Sequence, residues 1–339
     1  MRKNIYRTML MLCLAVSLFL VSKTDAQASW QWETITRWNV ENVKTYDDFQ
    51  YLYISETDSI RIVGYIGNAE SVVVPSEIEG KPVKMIAYFG DYIDNTILYQ
   101  NSVTKEIYIP DGVQAIGGFR VCTNLEKVRI PNSVQEIGEE AFIYCKKLKE
   151  IKLPSSLKKI GNSAFLNCEG LYKVDIANGV KEIGDGAFGG CCSLKEVSIP
   201  NSVTKIGEEA FAFCNKLSKV KLSKNLKVIK KACFSGCNIK SIQIPKKVTT
   251  IEEDAFATNP IKEITIPSNV KNIGTQSFAY CKKLKKVTIK GTKIKKIGKR
   301  AFYLVNKKAT FDVPNKCKKK YKKMLIKANS FKEGKMKIK

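Results

Sequence analysis

The sequence predicts a single repeat solenoid, mainly β, built from units of about 23 residues. Three observations carry that prediction. Phe142, Phe165, Phe188, Phe211 and Phe234 stand 23 residues apart and are followed by Phe256, Phe278 and Phe302 at steps of 22, 22 and 24. Cys122, Cys145, Cys168, Cys191, Cys214 and Cys237 keep the 23-residue step. A third column, Leu125, Leu148, Leu171, Leu194, Leu217, Ile239, Ile261 and Leu284, runs in phase with both. A unit this short cannot bury its own apolar side, so neighbouring units must supply the core and the two ends must be capped.

The elements follow in chain order. Residues 1–28 read as a secretory signal peptide. Arg2, Lys3 and Arg7 precede an apolar run from Met9 to Val21, and the small-residue pattern Ala26-Gln27-Ala28 predicts cleavage before Ser29. The run, about 13 residues, is shorter than the roughly 20 needed to cross a bilayer, and no later segment predicts a transmembrane span. Residues 29–68 read as an N-terminal cap with a hairpin around Tyr51 to Tyr65. Trp30, Trp32 and Trp38 cluster there, either covering the exposed end of the core or stacking on a ligand. Opening rungs follow at Arg61–Tyr65, at Val72-Val73-Val74-Pro75 and at Gly80-Lys81-Pro82-Val83.

The solenoid is placed at residues 69–313. In one clean unit, Val197 and Ile199 alternate with polar neighbours as a short half-buried strand, and Pro200, which has no N–H for the sheet ladder, ends it. Pro110, Pro131, Pro154, Pro245 and Pro267 stand at the same place in other units. Val203 and Ile206 start the return path, Gly207 is expected to permit a bend, and Phe211 and Cys214 point back inward. Parallel strands about 4.8 Å apart give nine or so rungs a length of roughly 40–45 Å. Residues 314–339 read as a Lys-rich capping helix and tail. Cys317, Tyr321, Met324 and Leu325 share one face of a helix opened by Pro314.

The unit resembles the BspA-like leucine-rich repeats of bacterial and protist surface proteins, as in Ile137-Gly138-Glu139-Glu140-Ala141-Phe142-Ile143-Tyr144-Cys145. The pattern recurs in phase from about Val103 to Phe302. It departs locally: Gly117-Gly118-Phe119 is two residues short, Lys230 and Glu252 replace Gly, and Asn259 and Val305 replace Cys. The resemblance implies a leucine-rich-repeat fold and adhesion or binding to surface components.

The chemistry available is narrow. Among 339 residues there is no His, which excludes His-activated nucleophiles, His-ligated zinc and a near-neutral His proton shuttle. The cysteine ladder reads first as buried free thiols. Export and a rung spacing within disulfide range keep disulfides open, and no pair-of-pairs spacing calls for zinc. Cys192, next to Cys191, is the more accessible thiol. A carboxylate-based hydrolase would need two acids converging in a pocket, whereas the repeating acids fall on an open face. No catalytic, cofactor or metal residue is therefore assigned.

The exposed strand positions are the expected binding surface, a continuous sheet face in a solenoid. One column alternates in sign: Glu106, Lys127, Glu150, Lys173, Glu196, Lys219. It reads as lateral charge pairing that stabilises the sheet. The next column, Tyr108, Arg129, Lys152, Asp175, Ser198, Lys221 and Gln243, is the candidate interaction face. Charge is uneven along the chain. Residues 29–100 carry net −6, whereas residues 282–339 carry net +21. Lys318, Lys319, Lys320, Lys322 and Lys323 are the candidate polyanion contact. The expectation is an exported, monomeric, non-enzymatic protein, secreted or at the cell surface, that binds an extracellular protein, a glycan or an anionic wall polymer. No nucleic-acid motif accompanies its charge. The alternative is a structural protein held in the wall by charge alone.

Overall fold

In four successive rungs an apolar residue between two polar ones makes a three-residue strand with only its centre inside. Val128, Ile151, Val174 and Val197 are buried, and their neighbours on both sides are exposed. The computed structural model describes residues 42–87, 102–329 and 337–339, so the signal-peptide reading of 1–28 and Trp30, Trp32 and Trp38 lie outside the described residues. It is a β-solenoid of about 11 turns with a repeat of about 23 residues and one short C-terminal helix.

The core consists of stacked columns. Nine phenylalanines from Phe119 to Phe302 lie ring over ring, with centroids 4.9 to 5.7 Å apart and planes within 15° of parallel. Phe311 closes the stack edge-on against Phe302 at 5.2 Å. Phe119 keeps its place although its unit is two residues short, so the shortening falls in the turn before it.

The cysteine column is built on thiol-to-carbonyl bonds. Cys145, Cys168, Cys191, Cys214 and Cys237 each donate from Sγ to the carbonyl of the phenylalanine 26 residues earlier, at 3.0 to 3.2 Å. None of the ten described cysteines is in a disulfide. Burial raises the thiol pKa of Cys145, Cys168, Cys191 and Cys214, and to about 12 at Cys237 and Cys281, so these sulfurs stay protonated and inert.

Asn259, which replaces a cysteine, carries more bonds than the thiol it replaces. Its Nδ2 donates to Phe234 O at 2.7 Å, and its Oδ1 accepts from the Ile239 N–H at 3.0 Å. In longer units that leucine N–H bonds the cysteine carbonyl three residues back, as Leu217 does to Cys214 O at 2.9 Å. The segment from Cys237 to Ile239 is one residue shorter, which forbids that bond, and the Asn259 amide takes its place.

Two parallel strand columns run along the rungs, where the sequence reading found one. Besides the three-residue strands, two-residue strands such as Glu136–Ile137, Lys159–Ile160, Glu182–Ile183 and Lys205–Ile206 pair rung to rung. The column of three-residue strands is not the continuous sheet expected. It divides into four groups, with no ladder between Arg129 and Lys152, between Asp175 and Ser198, or between Lys221 and Gln243. Gln243 lies in a segment with no assigned strand.

The glycine after each two-residue strand also has a different role from the bend assigned to it. Gly207 is not in the left-handed region, and a Cβ there would lie 2.4 Å from the Asp185 backbone nitrogen. It is small because successive rungs touch. The bends are made instead by Glu209 and Phe213, at φ 55° and 59°, held by backbone bonds to Lys231 and Ser235 of the next rung. The two-residue column is interrupted between Ile206 and Ile229, at the step where Lys230 replaces this glycine. Lys230 and Glu252, the two replacements, face each other on adjacent rungs at 3.6 Å.

Strands Lys44–Tyr46, Phe49–Ile54 and Ser59–Tyr65 form an antiparallel unit whose last strand pairs in parallel with Lys81–Ile86 and so starts the two-residue column. At the other end the helix Lys318–Asn329 buries Tyr321 and Leu325 completely, with Cys317 and Met324 partly buried. The Tyr321 hydroxyl donates to Gly291 O and accepts from the Ile294 N–H. Residues 337–339 do not trail as the expected tail: Lys337–Ile338 adds a parallel strand beside Thr310–Asp312.

One core position carries a defect. Ser277 is fully buried where six other rungs have Ala141, Ala164, Ala187, Ala210, Ala255 and Ala301 and one has Cys233, and its hydroxyl has no hydrogen-bond partner among the described residues. Removing an unsatisfied buried hydroxyl recovers its desolvation cost. Ser277→Ala is therefore expected to raise stability by about 1 kcal/mol. Chemical denaturation checks this, and an unchanged or lower midpoint would contradict it.

Candidate binding surface

The outward residues of the three-residue strands form the candidate face. Arg129, Lys152, Asp175, Ser198, Lys221 and Gln243 are exposed, and Tyr108 is half-buried. The ladders set Tyr108 beside Arg129, Lys152 beside Asp175 and Ser198 beside Lys221. Asp175, Ser198 and Lys221 come together again across a gap in the ladder, where they line a shallow hollow with Asn178 and Asn201. The hollow is polar and open, and its single carboxylate gives it no acid pair for hydrolysis. Tyr108 donates to Glu106 Oε2 at 2.7 Å, and that bond raises its pKa.

The alternating column pairs its charges in part. Glu106 meets Lys127 at 3.8 Å and Glu196 meets Lys219 at 3.5 Å, whereas Lys173 turns to Asp175 on its own strand. Such exposed pairs contribute at most about 1 kcal/mol each.

Lys318, Lys319, Lys320, Lys322 and Lys323 are exposed on the C-terminal helix. Lys320 is partly committed, since its Nζ donates to Ile294 O at 3.1 Å. Among the described residues no group of three or more Cys, Asp or Glu is placed to hold a metal ion. No described helix is long and apolar enough to cross a membrane.

A further column was not singled out from the sequence. It precedes the two-residue strands and runs Lys84, Gln114, Gln135, Lys158, Lys181, Thr204, Lys227, Thr249, Lys271 and Lys295. Backbone bonds of 2.7 to 2.9 Å link successive members except between Thr204 and Lys227. None of the ten is acidic. Reading the position after the first return-path apolar residue, rung by rung, would have found most of it.

The turn before Phe256 holds a perturbed carboxyl. Asp254 is partly buried at φ 52°, and burial, reinforced by Glu253, pushes its pKa from 3.8 up to about 6 against the opposing effect of Lys231. The folded state thus binds this proton more tightly than the unfolded chain. The resulting stability is fully present below about pH 4 and is lost as pH rises through about 6. The full shift would correspond to about 3 kcal/mol, and partial exposure reduces this to about 1 kcal/mol. Asp254→Asn should exceed the parent by that amount at pH 7, relative to their difference at pH 4. Denaturation across this range checks it, and a gap that does not vary with pH would contradict it.

Comparison with known proteins places the chain. A leucine-rich repeat protein from Bacteroides ovatus is similar over 80% of this chain and 78% of its own, at 23% identity and a TM-score of 0.55, which supports the fold. A leucine rich repeat protein of T. pallidum, at 26% identity, covers 71% of this chain and 90% of its own with a TM-score of 0.44. The pneumococcal vaccine antigen PcpA, at 19% identity, covers 87% and 98% with a TM-score of 0.44. No curated protein matches the sequence. Residues 91–218 and 204–332 match the family model of the BspA type leucine rich repeat region, in six copies, and the chain belongs to that family.

Proposed function

We propose that the chain is an exported, non-enzymatic binding protein that acts at the cell surface or in the surrounding medium. It engages an extracellular protein or glycan through the column Tyr108, Arg129, Lys152, Asp175, Ser198, Lys221 and Gln243. The observation that carries this reading is the burial pattern of the strands, which repeats an inward centre and two outward polar residues over successive rungs. That arrangement gives a long open surface of varied charge. The basic run before the apolar stretch Met9–Val21 and the following Ala26-Gln27-Ala28 support export.

The test is binding of the chain from Ser29 onward to a panel of matrix proteins, glycans and wall polymers at two salt concentrations. The variant Lys152→Glu, Lys221→Glu should lose at least tenfold in affinity for the ligand retained. A ligand held equally well by parent and variant would remove this face from the reading.

The net charge of +21 over residues 282–339 favours a second reading, retention on an anionic wall polymer through Lys318, Lys319, Lys320, Lys322 and Lys323. Such retention is released by salt near 1 M, where the Debye length falls to about 3 Å. Retention that survives both that salt and replacement of these lysines by Gln would exclude it.

A further inference from the structure

The acid-free column carries a shallow groove near its N-terminal end, away from the strand face. Lys84, Gln114, Gln135 and Lys158 line it from four successive rungs, with Asn132, Ser133 and Ser156 from the adjoining turns. Every lining side chain is polar. None is acidic and none is aromatic.

The groups facing the groove are largely uncommitted. Lys84 and Lys158 form no ion pair, and the amides of Gln114 and Gln135 have no hydrogen-bond partner, among the described residues. The Ser133 oxygen accepts from the Gly112 N–H at 3.1 Å, which leaves its proton free to donate. Ser156 donates to Val134 O and keeps its lone pairs for a ligand. Glu136, beside Gln135 in the chain, is half-buried on the ladder and does not line the groove. Glu182, further along, is neutralised by Lys205 at 2.6 Å.

A second lysine-bearing column provides the contrast. It precedes the three-residue strands and includes Lys105 and Lys149, whose charges are spent: Lys105 pairs with Glu70 at 2.6 Å, and Lys149 pairs with Glu126.

We infer that the groove from Lys84 to Lys158 is a binding site for a linear acidic oligosaccharide, one carrying carboxylate or sulfate groups on a hydroxyl-rich backbone. The two ammonium groups stand three rungs apart, about 14 Å at a strand spacing of about 4.8 Å, and suit anionic groups at two points on an extended chain. The amides and hydroxyls between them match sugar hydroxyls. The groove has no aromatic surface for base stacking and no arginine fork for phosphate, which sets it apart from a single-stranded nucleic-acid channel. From Lys158 the column continues through Lys181 toward Lys227, Lys271 and Lys295, so a longer chain gains further contacts along the same edge. The site lies on a different column from the face proposed above, and it can fail or hold independently of that face.

The experiment measures binding of a labelled heparin-derived hexasaccharide and of a hexameric polygalacturonate to the full chain and its variants, with circular dichroism confirming the fold of each. Lys84→Gln, Lys158→Gln should weaken binding at least tenfold. Lys105→Gln, Lys149→Gln removes the same charge from the other column and should change it less than twofold. Gln114→Ala, Gln135→Ala leaves net charge untouched and should still cost about threefold to fivefold, a loss that attraction by charge alone does not produce. Retention of either oligosaccharide with this pattern supports the site, and which one binds more tightly identifies sulfate or carboxylate as the preferred group. The inference is overturned if the two lysine pairs have equal effects, if the neutral pair has none, or if single-stranded DNA of equal charge binds as tightly and responds identically to the variants.

Discussion

Phe188→Ala is expected to lower the unfolding free energy by about 3–5 kcal/mol, the range for truncating a buried phenylalanine. The ring is fully buried and lies between Phe165 and Phe211, with centroids 5.1 and 5.3 Å away and planes 3° and 12° from parallel. Removing it opens a cavity shared by two rung interfaces. Those neighbours cannot collapse into it, because each is held in its own rung by backbone bonds to the next: Phe165 N–H to Ala187 O, and Phe211 N–H to Cys233 O. In a solenoid this loss falls on nearest-neighbour coupling, so it lowers cooperativity as well as the midpoint. Equilibrium denaturation gives both quantities. A parental midpoint would mean that the column does not supply the core.

Asn259→Leu is expected to cost about 2–6 kcal/mol despite keeping the side-chain size. The substitution leaves the Ile239 N–H and the Phe234 carbonyl buried without partners, at about 1–3 kcal/mol for each group. Asn259→Cys should recover part of the loss. A thiol can reach the phenylalanine carbonyl, as it does in the other rungs, yet it provides no acceptor for the Ile239 N–H. The ordering parent, Cys, Leu in denaturation midpoint checks this account, and a cysteine variant as stable as the parent would contradict it.

These two residues also mark how far the sequence could be read. The phenylalanine column was legible because its period repeats one environment many times. The strand ending at Pro200 was legible because alternation and proline agree. Asn259 was visible as a departure, but its role depends on a backbone group freed by a deletion twenty residues earlier. The two-residue strands at Glu136 and Lys205 are too short to show alternation, and the glycine after each drew the reading toward a bend. Lys337 and Ile338 were read as tail because the surrounding lysines masked the alternation of Met336 and Ile338. The exposed face from Tyr108 to Gln243 followed from alternation alone. The groove at Lys84 did not, since its lining comes from rungs and turns that meet only when the chain is stacked.

The central claim is that one inward set of columns makes the body and leaves the outward columns for partners, and thiol accessibility tests it most directly. The native chain is treated with a small alkylating reagent without reductant, then unfolded in denaturant and treated again, and each cysteine is quantified. The account predicts that Cys192 and Cys317, the two partly exposed thiols, react first. Cys122, Cys145, Cys168, Cys191, Cys214, Cys233, Cys237 and Cys281 should stay unmodified until unfolding and then all react. Column cysteines that react in the native chain as fast as Cys192, or that fail to react once the chain is unfolded, would contradict it.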